Sequence, residues 1–163
     1  MATFLSFSGI ITMIDDFWTG SEAPSGCYKL ISVQNRDGSM VNFVVSPVTY
    51  FVDHIMVAVG DPVTGFYDAN APVPLIYPPQ YQAVVMAKAK VGQNVKVDYF
   101  NSKLISSDGM LKINITPSTK ILLENGQAFT RNPSNRNLIV VYGAATISIP
   151  AQTTPYRIIV MCR

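Results

Sequence analysis

The chain has 163 residues, of which 48% are apolar and only 13% are charged. Globular proteins usually carry about 25% charged residues, so this composition excludes intrinsic disorder and predicts a folded chain whose surface has few charges. Asp, Asn, Pro or Gly interrupts every apolar stretch before it reaches the roughly 18 residues of a membrane-spanning helix, which excludes such a helix. The first nine residues contain no Lys or Arg. We therefore expect no secretory signal and synthesis in the cytoplasm.

Short runs of β-branched and aromatic residues recur along the chain and are bounded by Gly, Pro, Asn and Asp. Such runs are typical of strands, and no segment keeps the 3.6-residue period of an amphipathic helix. The prolines punctuate the connections between the runs. The sequence therefore predicts an all-β fold. In chain order the predicted strands are Phe4 to Ile14, Tyr28 to Gln34, Met40 to Val45, Thr49 to Val52, Val63 to Tyr67, Tyr81 to Ala87, Val95 to Phe100, Met110 to Ile115, Leu138 to Tyr142, Thr146 to Ile149 and Tyr156 to Met161.

The charge is divided unevenly along the chain. Residues 1–87 carry two basic and seven acidic residues, a net charge of −5, whereas residues 88–163 carry ten basic and three acidic residues, a net charge of +7. A basic half can attract nucleic acid or another anionic surface, and it can equally attract the acidic half of a second copy. It can also be a local excess of lysine with no binding role.

An internal repeat is the most informative pattern in the sequence. Residues 37–49 contain an Asp-Gly turn, a strand and a Pro-Val-Thr break, and residues 108–119 contain an Asp-Gly turn, a strand and a Pro-Ser-Thr break. Self-similarity of this kind indicates duplicated structural elements. The sequence therefore predicts two related β-units, an acidic one over residues 1–90 and a basic one over residues 91–163.

The ends of the two predicted units also match. The spacing from Tyr67 to Met86 equals the spacing from Tyr142 to Met161, and both intervals contain Pro and Gln. This spacing aligns Tyr81 with Tyr156 and predicts that the last strands of the units correspond residue by residue.

The first unit is predicted to contain a strand, a hairpin, a third strand, a connection, a strand opened by the Gly60-Asp61 turn, and a final strand. In this order the chain resembles the OB-type family of small five-stranded β-barrels. The second unit departs from the pattern, because Asn135-Arg136 stands where the Gly-Asp turn would be. The resemblance implies two tandem OB-like β-barrels, and OB-type barrels often bind oligonucleotides or oligosaccharides on a strand face.

Three motifs, Tyr50 to His54, Ile76 to Tyr81 and Ile149 to Pro155, are similar to motifs in a group of small signal-less proteins of endospore-forming bacteria. This resemblance implies a spore or cell-envelope setting and implies no activity.

The sequence also predicts that Tyr67, Tyr77 and Tyr81, which lie close to prolines, close the ends of the first barrel.

No motif in the sequence indicates catalysis or metal binding. His54 is the single histidine and follows Asp53; in a strand the two side chains would point to opposite faces, which disfavours an Asp-His dyad. The P-loop, the Gly-x-Ser-x-Gly elbow, the dinucleotide fingerprint and His-Glu-x-x-His are absent from the sequence. Cys27 and Cys162 are too few for a disulfide framework or a four-ligand zinc site. We therefore predict a protein that is not an enzyme and has no catalytic residues, no metal and no cofactor.

Basic and aromatic residues of the second unit are candidate contacts for a polyanion or for another subunit. Several alternate with apolar neighbours, a pattern that an ordinary half-solvated strand also shows. The candidates are Lys96, Tyr99, Lys103, Lys112, Lys120, Arg131 and Arg136.

Few charges, oppositely charged halves and the lack of a catalytic set together favour a self-assembling structural or scaffold protein whose partner is another copy of itself. The alternative is an OB-like binding module for single-stranded nucleic acid or an acidic oligosaccharide. For assembly, we expect the N-terminal run Phe4 to Ile14 to be the strand most readily lent to a neighbour. The predicted buried residues are Val44, Val84, Val85, Ile113, Ile115, Val140, Ile159 and Val160.

Overall fold

The computed structural model describes residues 2–18, 20 and 25–162. Strands account for 47% of the structure, and none of the described residues lies in an α-helix. The prediction of an all-β fold is confirmed. No helix in this part of the chain is long and apolar enough to cross a membrane.

The chain divides into two compact units. The first unit is Phe4–Ala89, and the second contains residues 90–162 together with residues 2 and 3. This division lies one residue from the predicted boundary between residues 90 and 91. The strands of the first unit are β1 (Phe4–Asp16), β2 (Lys29–Gln34), β3 (Met40–Val45), β4 (Tyr50–Phe51), β5 (Pro62–Asp68), β6 (Gln80–Gln82) and β7 (Val85–Lys88). Those of the second unit are β8 (Asn94–Phe100), β9 (Leu111–Ile113), β10 (Lys120–Leu123), β11 (Arg136–Tyr142), β12 (Ala151–Thr153) and β13 (Arg157–Val160).

The strands of the first unit form one sheet in the order β4-β7-β5-β1-β2-β3-β6. Neighbours are antiparallel, except that β6 runs parallel to β3 and β7 runs parallel to β4. Strand β1 serves two partners, because residues 4–10 pair with β5 and residues 10–16 pair with β2. The N-terminal strand is thus an integral part of its own unit, which argues against its being lent to a neighbour.

Strand β1 changes partner near Gly9. A Cβ atom at this position would lie 2.3 Å from the carbonyl oxygen of Gln34, a distance that no side chain tolerates. Two residues further on, the β1–β2 register shifts between Ile11 and Met13. A glycine beside a bulge lets two backbones approach closely and bends the strand, so that β1 can pair with β5 at one end and with β2 at the other.

The second unit contains a four-stranded sheet in the order β10-β13-β11-β8 and a two-stranded sheet of β12 and β9. Single bridges from Phe100 to Ser106 and from Ile105 to Lys112 connect β8 to β9. With residues 105–106 in the place of β2, the strand order of the first unit recurs in the second. The sheet orders establish an all-β fold, and the finer prediction of two OB-like barrels stays a prediction at this level.

The turns and breaks that carry the sequence repeat have the same local structure in both units. Asp37 accepts a hydrogen bond from the backbone N–H of Ser39 at 2.9 Å, and Asp108 accepts the equivalent one from Met110 at 3.0 Å. After the strand, the Thr49 hydroxyl oxygen accepts a bond from the N–H of Ser46. Thr119 accepts the same bond from Thr116. The two threonine hydroxyls thus give a backbone amide beyond the end of β3 and of β9 a local partner, where the chain leaves the sheet.

The left-handed turn before β5 also recurs, with a different residue. Gly60 has a φ of 95° and its counterpart Asn135 has a φ of 58°. Asparagine is among the few residues that adopt this conformation readily. The missing Gly-Asp turn of the second unit is therefore replaced by a residue that makes the same backbone turn.

The predicted correspondence of the last strands is wrong by three residues. β5 and β11 pair with their neighbours so that Phe66 corresponds to Val141, but β7 and β13 pair so that Met86 corresponds to Ile158 rather than to Met161. The loop before β6, residues 69–79, is three residues longer than the loop before β12, residues 143–150. The equal spacing in the sequence is thus accidental.

Three further element predictions differ from the structure. Thr146 to Ile149 is a loop, and the strand β12 follows it; β10 was not predicted; Tyr81 to Ala87 is two short strands, β6 and β7. His54 does not lie in a strand either, because Val52–His54 is a 3-10 turn in which Asp53 and His54 both have positive φ. The side chains of Asp53 and His54 are therefore not on opposite faces of a strand.

Each unit has its own apolar core. The first is built around Phe43 and Met86, and the second around Phe100 and Leu138, all fully buried. Six of the eight predicted core residues are buried; Val84 is half-buried and Ile115 is exposed. Ile115 lies two residues beyond the end of β9, where the chain has left the sheet.

Candidate functional site: two apolar loops

The predicted basic contact residues do not form one surface. Lys96 on β8 makes an ion pair with Asp108 of its own unit. Lys120 begins β10 at the opposite edge of the same sheet, with β13 and β11 between them. Lys112 lies on β9 in the separate two-stranded sheet, beside Gln152.

The remaining candidates are also dispersed. Lys103 is exposed in the turn after β8, and Arg131 is exposed in the connection between β10 and β11. The Arg136 guanidinium lies over the ring of Phe129, 4.8 Å from its centroid. Tyr99 on β8 is half-buried. Of these candidates, Lys96 belongs to a hydrogen-bonded network around Asp108, and the partners in that network lie within its own unit.

That network fixes the turn of residues 106–110. The Ser106 hydroxyl donates to Asp108 and the Ser107 hydroxyl donates to Asp98, each at 2.6 Å. Burial alone would raise the pKa of Asp108, but hydrogen bonds from Lys96, Ser106 and the backbone of Met110 outweigh it and lower the pKa below its ordinary value. These bonds join the turn to β8, so the arrangement is that of a structural brace.

The loop of residues 69–79 in the first unit exposes large apolar side chains. It begins with a hydrogen-bonded turn in which Asp68 accepts a bond from the N–H of Asn70 at 2.9 Å. At its tip Leu75 is fully exposed, Ile76 is more than half exposed, and Tyr77 is 82% exposed. The prediction that Tyr77 closes a barrel end is therefore wrong, since this ring points into solvent.

The base of this loop is held by two stacked rings. Tyr67 lies just before the loop and Tyr81 just after it, and their ring centroids are 3.8 Å apart with an interplanar angle of 5°. Phe43 of the core lies 6.3 Å from one ring and 6.5 Å from the other. Burial, with a hydrogen bond to Tyr81, raises the pKa of Tyr67 to about 12. These two tyrosines pack against the core of the first unit; that they close the end of a barrel stays a prediction.

The loop of residues 143–150 is the counterpart in the second unit. Here Ile147 is fully exposed and Ile149 is 82% exposed. When the two units are aligned by their strand registers, these residues are equivalent to Leu75 and Tyr77 of the first unit. Each loop ends in a cis peptide bond to proline, at Pro78 and Pro150. Exposed apolar residues therefore occupy the same two positions of both repeats.

Hydroxyl groups hold the second loop. Thr146 and Ser148 are hydrogen-bonded to each other at 2.7 Å, and Ser148 donates to the carbonyl of Pro150 at 2.8 Å. The N–H of Gln152 donates to Thr146 Oγ1 at 2.9 Å, and the Thr153 hydroxyl donates to the carbonyl of Ala144 at 2.7 Å. These hydroxyl groups bond within the loop and to the strand that follows it, while the isoleucines face outward. The loop thus presents apolar side chains on a fixed backbone.

An ordinary soluble loop shows the reverse polarity, with polar side chains in solvent. Contiguous exposed apolar groups on a protein surface mark sites of interaction. A rigid loop loses little conformational entropy when it binds, which favours association. The two loops can therefore act as docking elements.

Sequence reasoning missed both loops. The sequence Thr146 to Ile149 alternates polar and apolar residues, so it was predicted as a strand. The useful signal is the pair Pro78-Pro79-Gln80-Tyr81 and Pro150-Ala151-Gln152-Thr153. An alignment of these two motifs makes Leu75 equivalent to Ile147.

No group of three or more His, Cys, Asp or Glu side chains that could hold a metal ion occurs in the described part of the chain. Comparisons of the chain with protein-family models, with curated proteins and with solved structures found no match.

Proposed function

We propose that this protein is a self-assembling structural or scaffold protein built from two tandem OB-like barrels, and that it is not an enzyme. The observation that carries the proposal is the recurrence of a fixed, outward-facing apolar loop in both units. A monomer exposing such side chains in duplicate would leave apolar area in water, and removing that area from water is the main driving force of association.

The path of strand pairing supports the barrel. In the first unit, β4 follows β3 after four residues and β7 follows β6 after two. Because β3 pairs with β6 and β4 with β7, the segments 40–51 and 80–88 run side by side in parallel. From β7 the pairing continues through β5 and β1 to β2 and back to β3. Such a circuit is what a five-stranded OB-type barrel requires.

The charge distribution supports attraction between copies. With residues 4–89 as the first unit, three basic and seven acidic residues give it a net charge of −4. The rest of the chain carries nine basic and three acidic residues, a net charge of +6. Opposite charges accelerate and orient an encounter, whereas apolar contact supplies most of the affinity.

The test is the mass of the native particle as a function of concentration. We expect size-exclusion chromatography with light scattering at low salt to show a mass well above that of one chain, and electron microscopy to show rings or filaments. A variant with Lys103→Glu and Lys112→Glu leaves the Lys96–Asp108 pair intact and should assemble more slowly. A clean monomer at millimolar concentration would overturn the proposal.

One observation favours the alternative, an OB-like module that binds single-stranded nucleic acid or an acidic oligosaccharide. Lys112 and Gln152 are neighbours across β9 and β12, and Asn114 donates to Gln152 at 3.3 Å. The same positions in the first unit hold Asn42 and Gln80. Salt-dependent binding of oligothymidylate that is lost in Lys112→Gln, by a protein that stays monomeric, would favour this alternative.

A further inference from the structure

We propose that the apolar loop of the second unit, with Ile147 and Ile149, inserts into a groove on the first unit of another copy. This inference rests on the proposed self-assembly and names the two surfaces that make the contact. Each copy would then offer one loop and one groove.

The groove lies on the first unit and has a volume of about 730 Å³. It is lined by residues 8–10 of β1, residues 34–37 of the hairpin turn, residues 62–64 of β5, and Ala89. Surface clefts of roughly 300–1,000 Å³ bury most of a small ligand, so this groove can receive a few side chains. The apolar part of its lining includes Ile10, which is 45% exposed.

The polar part of the lining can satisfy a loop backbone. Ser8 and Thr64 face each other across β1 and β5 with their hydroxyl oxygens 2.7 Å apart. Gln34 and Asn35 lie at the other side of the lining. A loop seated here could bury its isoleucines against Ile10 and Pro62 while exposed carbonyl and amide groups remain near hydrogen-bonding side chains.

The second unit cannot offer the same groove. The positions equivalent to Ser8 and Thr64 are Val97 and Ile139, which are paired across β8 and β11 and buried. The docking surface therefore lies on the first unit, and the second unit has no counterpart at these positions. Contact between a loop of one unit and a groove of the other is heterologous, and repeated heterologous contacts give closed rings or open filaments.

The net charges select which loop is the occupant. The groove belongs to the acidic unit, with a net charge of −4, and residues 143–150 belong to the basic unit, with a net charge of +6. The loop of residues 69–79 lies on the acidic unit itself, so its approach to the groove of another copy would meet like charge. Loop 143–150 is therefore the favoured partner.

The experiment combines two assembly-blocking variants. Ile147→Asp with Ile149→Asp disables the loop, and Ile10→Glu disables the groove; all three side chains are exposed, so we expect both proteins to fold. Each variant alone should need at least tenfold more protein to assemble than the wild type. An equimolar mixture should form a dimer, because one variant keeps its groove and the other keeps its loop.

The matched control is Leu75→Asp with Tyr77→Asp, which alters the equivalent loop of the first unit; because that loop is not the occupant of the groove, the control should assemble at a lower protein concentration than the Ile147 and Ile149 variant. Circular dichroism and thermal unfolding would establish that every variant is folded. Assembly that survives the Ile147 and Ile149 changes, or a mixture that stays monomeric, would overturn the loop-in-groove contact while leaving self-assembly intact. A wild-type protein that never assembles would overturn both proposals.

Discussion

The two units share a strand order but balance their core volumes in opposite ways. In the first unit Gly65 lies under Phe43, and a Cβ on the glycine would come within 2.5 Å of the ring. The equivalent positions in the second unit hold Val140 and Ile113, both buried. The first unit therefore pairs one large side chain with a glycine, whereas the second unit pairs two side chains of intermediate size. Turn and break residues thus preserve the topology, while neighbouring side chains exchange volume across the core.

The sheet faces turned away from the two core clusters differ more between the units than the clusters themselves. At one pair of equivalent positions the first unit has Ser8 and Thr64, and the second has Val97 and Ile139. At another pair the first unit has Ala87 and the second has Ile159, both buried. A repeated backbone can therefore carry a polar groove in one copy and an apolar face in the other.

The largest effect that we predict comes from making the second unit resemble the first at this face. Ile159→Ala removes a buried side chain from β13 and should lower the free energy of unfolding by about 2–4 kcal/mol, through lost burial and a residual cavity. Urea unfolding followed by far-UV circular dichroism measures this loss of stability. The exposed Ile147→Ala is the control and should change stability by less than about 0.5 kcal/mol. An equally small effect for Ile159→Ala would show that this side chain lies at the surface or at an interface.

Exchanging the core pair tests the volume balance directly. Gly65→Val should destabilise the first unit by about 1–3 kcal/mol because the new side chain overlaps the Phe43 ring. Adding Phe43→Ile recreates the pair of the second unit and should recover part of that loss. The comparison of both single variants with the double variant isolates the coupling. Purely additive effects would contradict the proposed exchange of volume.

The sequence was informative about the fold wherever a residue acts through its own backbone. The Asp-Gly turns and the Pro-x-Thr breaks have the same structure in both units because each is closed by hydrogen bonds within a few residues. The register of β13 was not predictable from spacing, since a loop can change length without disturbing the strands that it joins. Equal distances from Tyr67 to Met86 and from Tyr142 to Met161 therefore did not mean equivalent residues.

The candidate site was less predictable than the fold. The alternation of residues 146–149 is that of a strand, but hydrogen bonds of Thr146 and Ser148 to each other, to Pro150 and to Gln152 hold the segment as a loop. Likewise Lys96 was a candidate contact by composition alone, and its pairing with Asp108 depends on the turn that follows β8. Whether a residue is exposed or paired depends on how its turn or loop is hydrogen-bonded, which the alternation of polar and apolar residues does not encode.

The aspartates of the two Asp-Gly turns, Asp37 and Asp108, should make different contributions to stability at acid pH. Hydrogen bonds from Ser39 lower the pKa of Asp37, whereas the lowered pKa of Asp108 also involves Lys96, although burial opposes the shift. A pKa lowered by folding stabilises the protein above the ordinary value of 3.8, and this gain is lost as the pH falls through the folded value.

We therefore expect Asp108→Asn to cost less than about 1 kcal/mol at pH 7, because the pair is partly exposed, and to cost less still at pH 2.5. High salt should reduce the cost for Asp108→Asn more than for Asp37→Asn, since only the former loses an ion pair. Urea unfolding at low and high salt measures both. Equal salt sensitivity would contradict a stabilising role for the Lys96 pair.

The smallest effect concerns the stacked tyrosines, which the second unit lacks because Thr153 replaces Tyr81. Burial raises the pKa of Tyr67 to about 12, above the ordinary value of 10.0. The stabilisation from keeping this phenol neutral is complete below pH 10 and is lost as the pH rises through 12. Tyr67→Phe should remove an absorbance transition near pH 12 at 295 nm and change stability at pH 7 by only about 0.5 kcal/mol.

Tyr81→Ala unstacks the pair and should move the transition toward 10, since it exposes the Tyr67 ring and removes its hydrogen-bonding neighbour. A transition near pH 12 that persists in Tyr67→Phe would belong to another group and would contradict the shielding of the Tyr67 phenol by the stack.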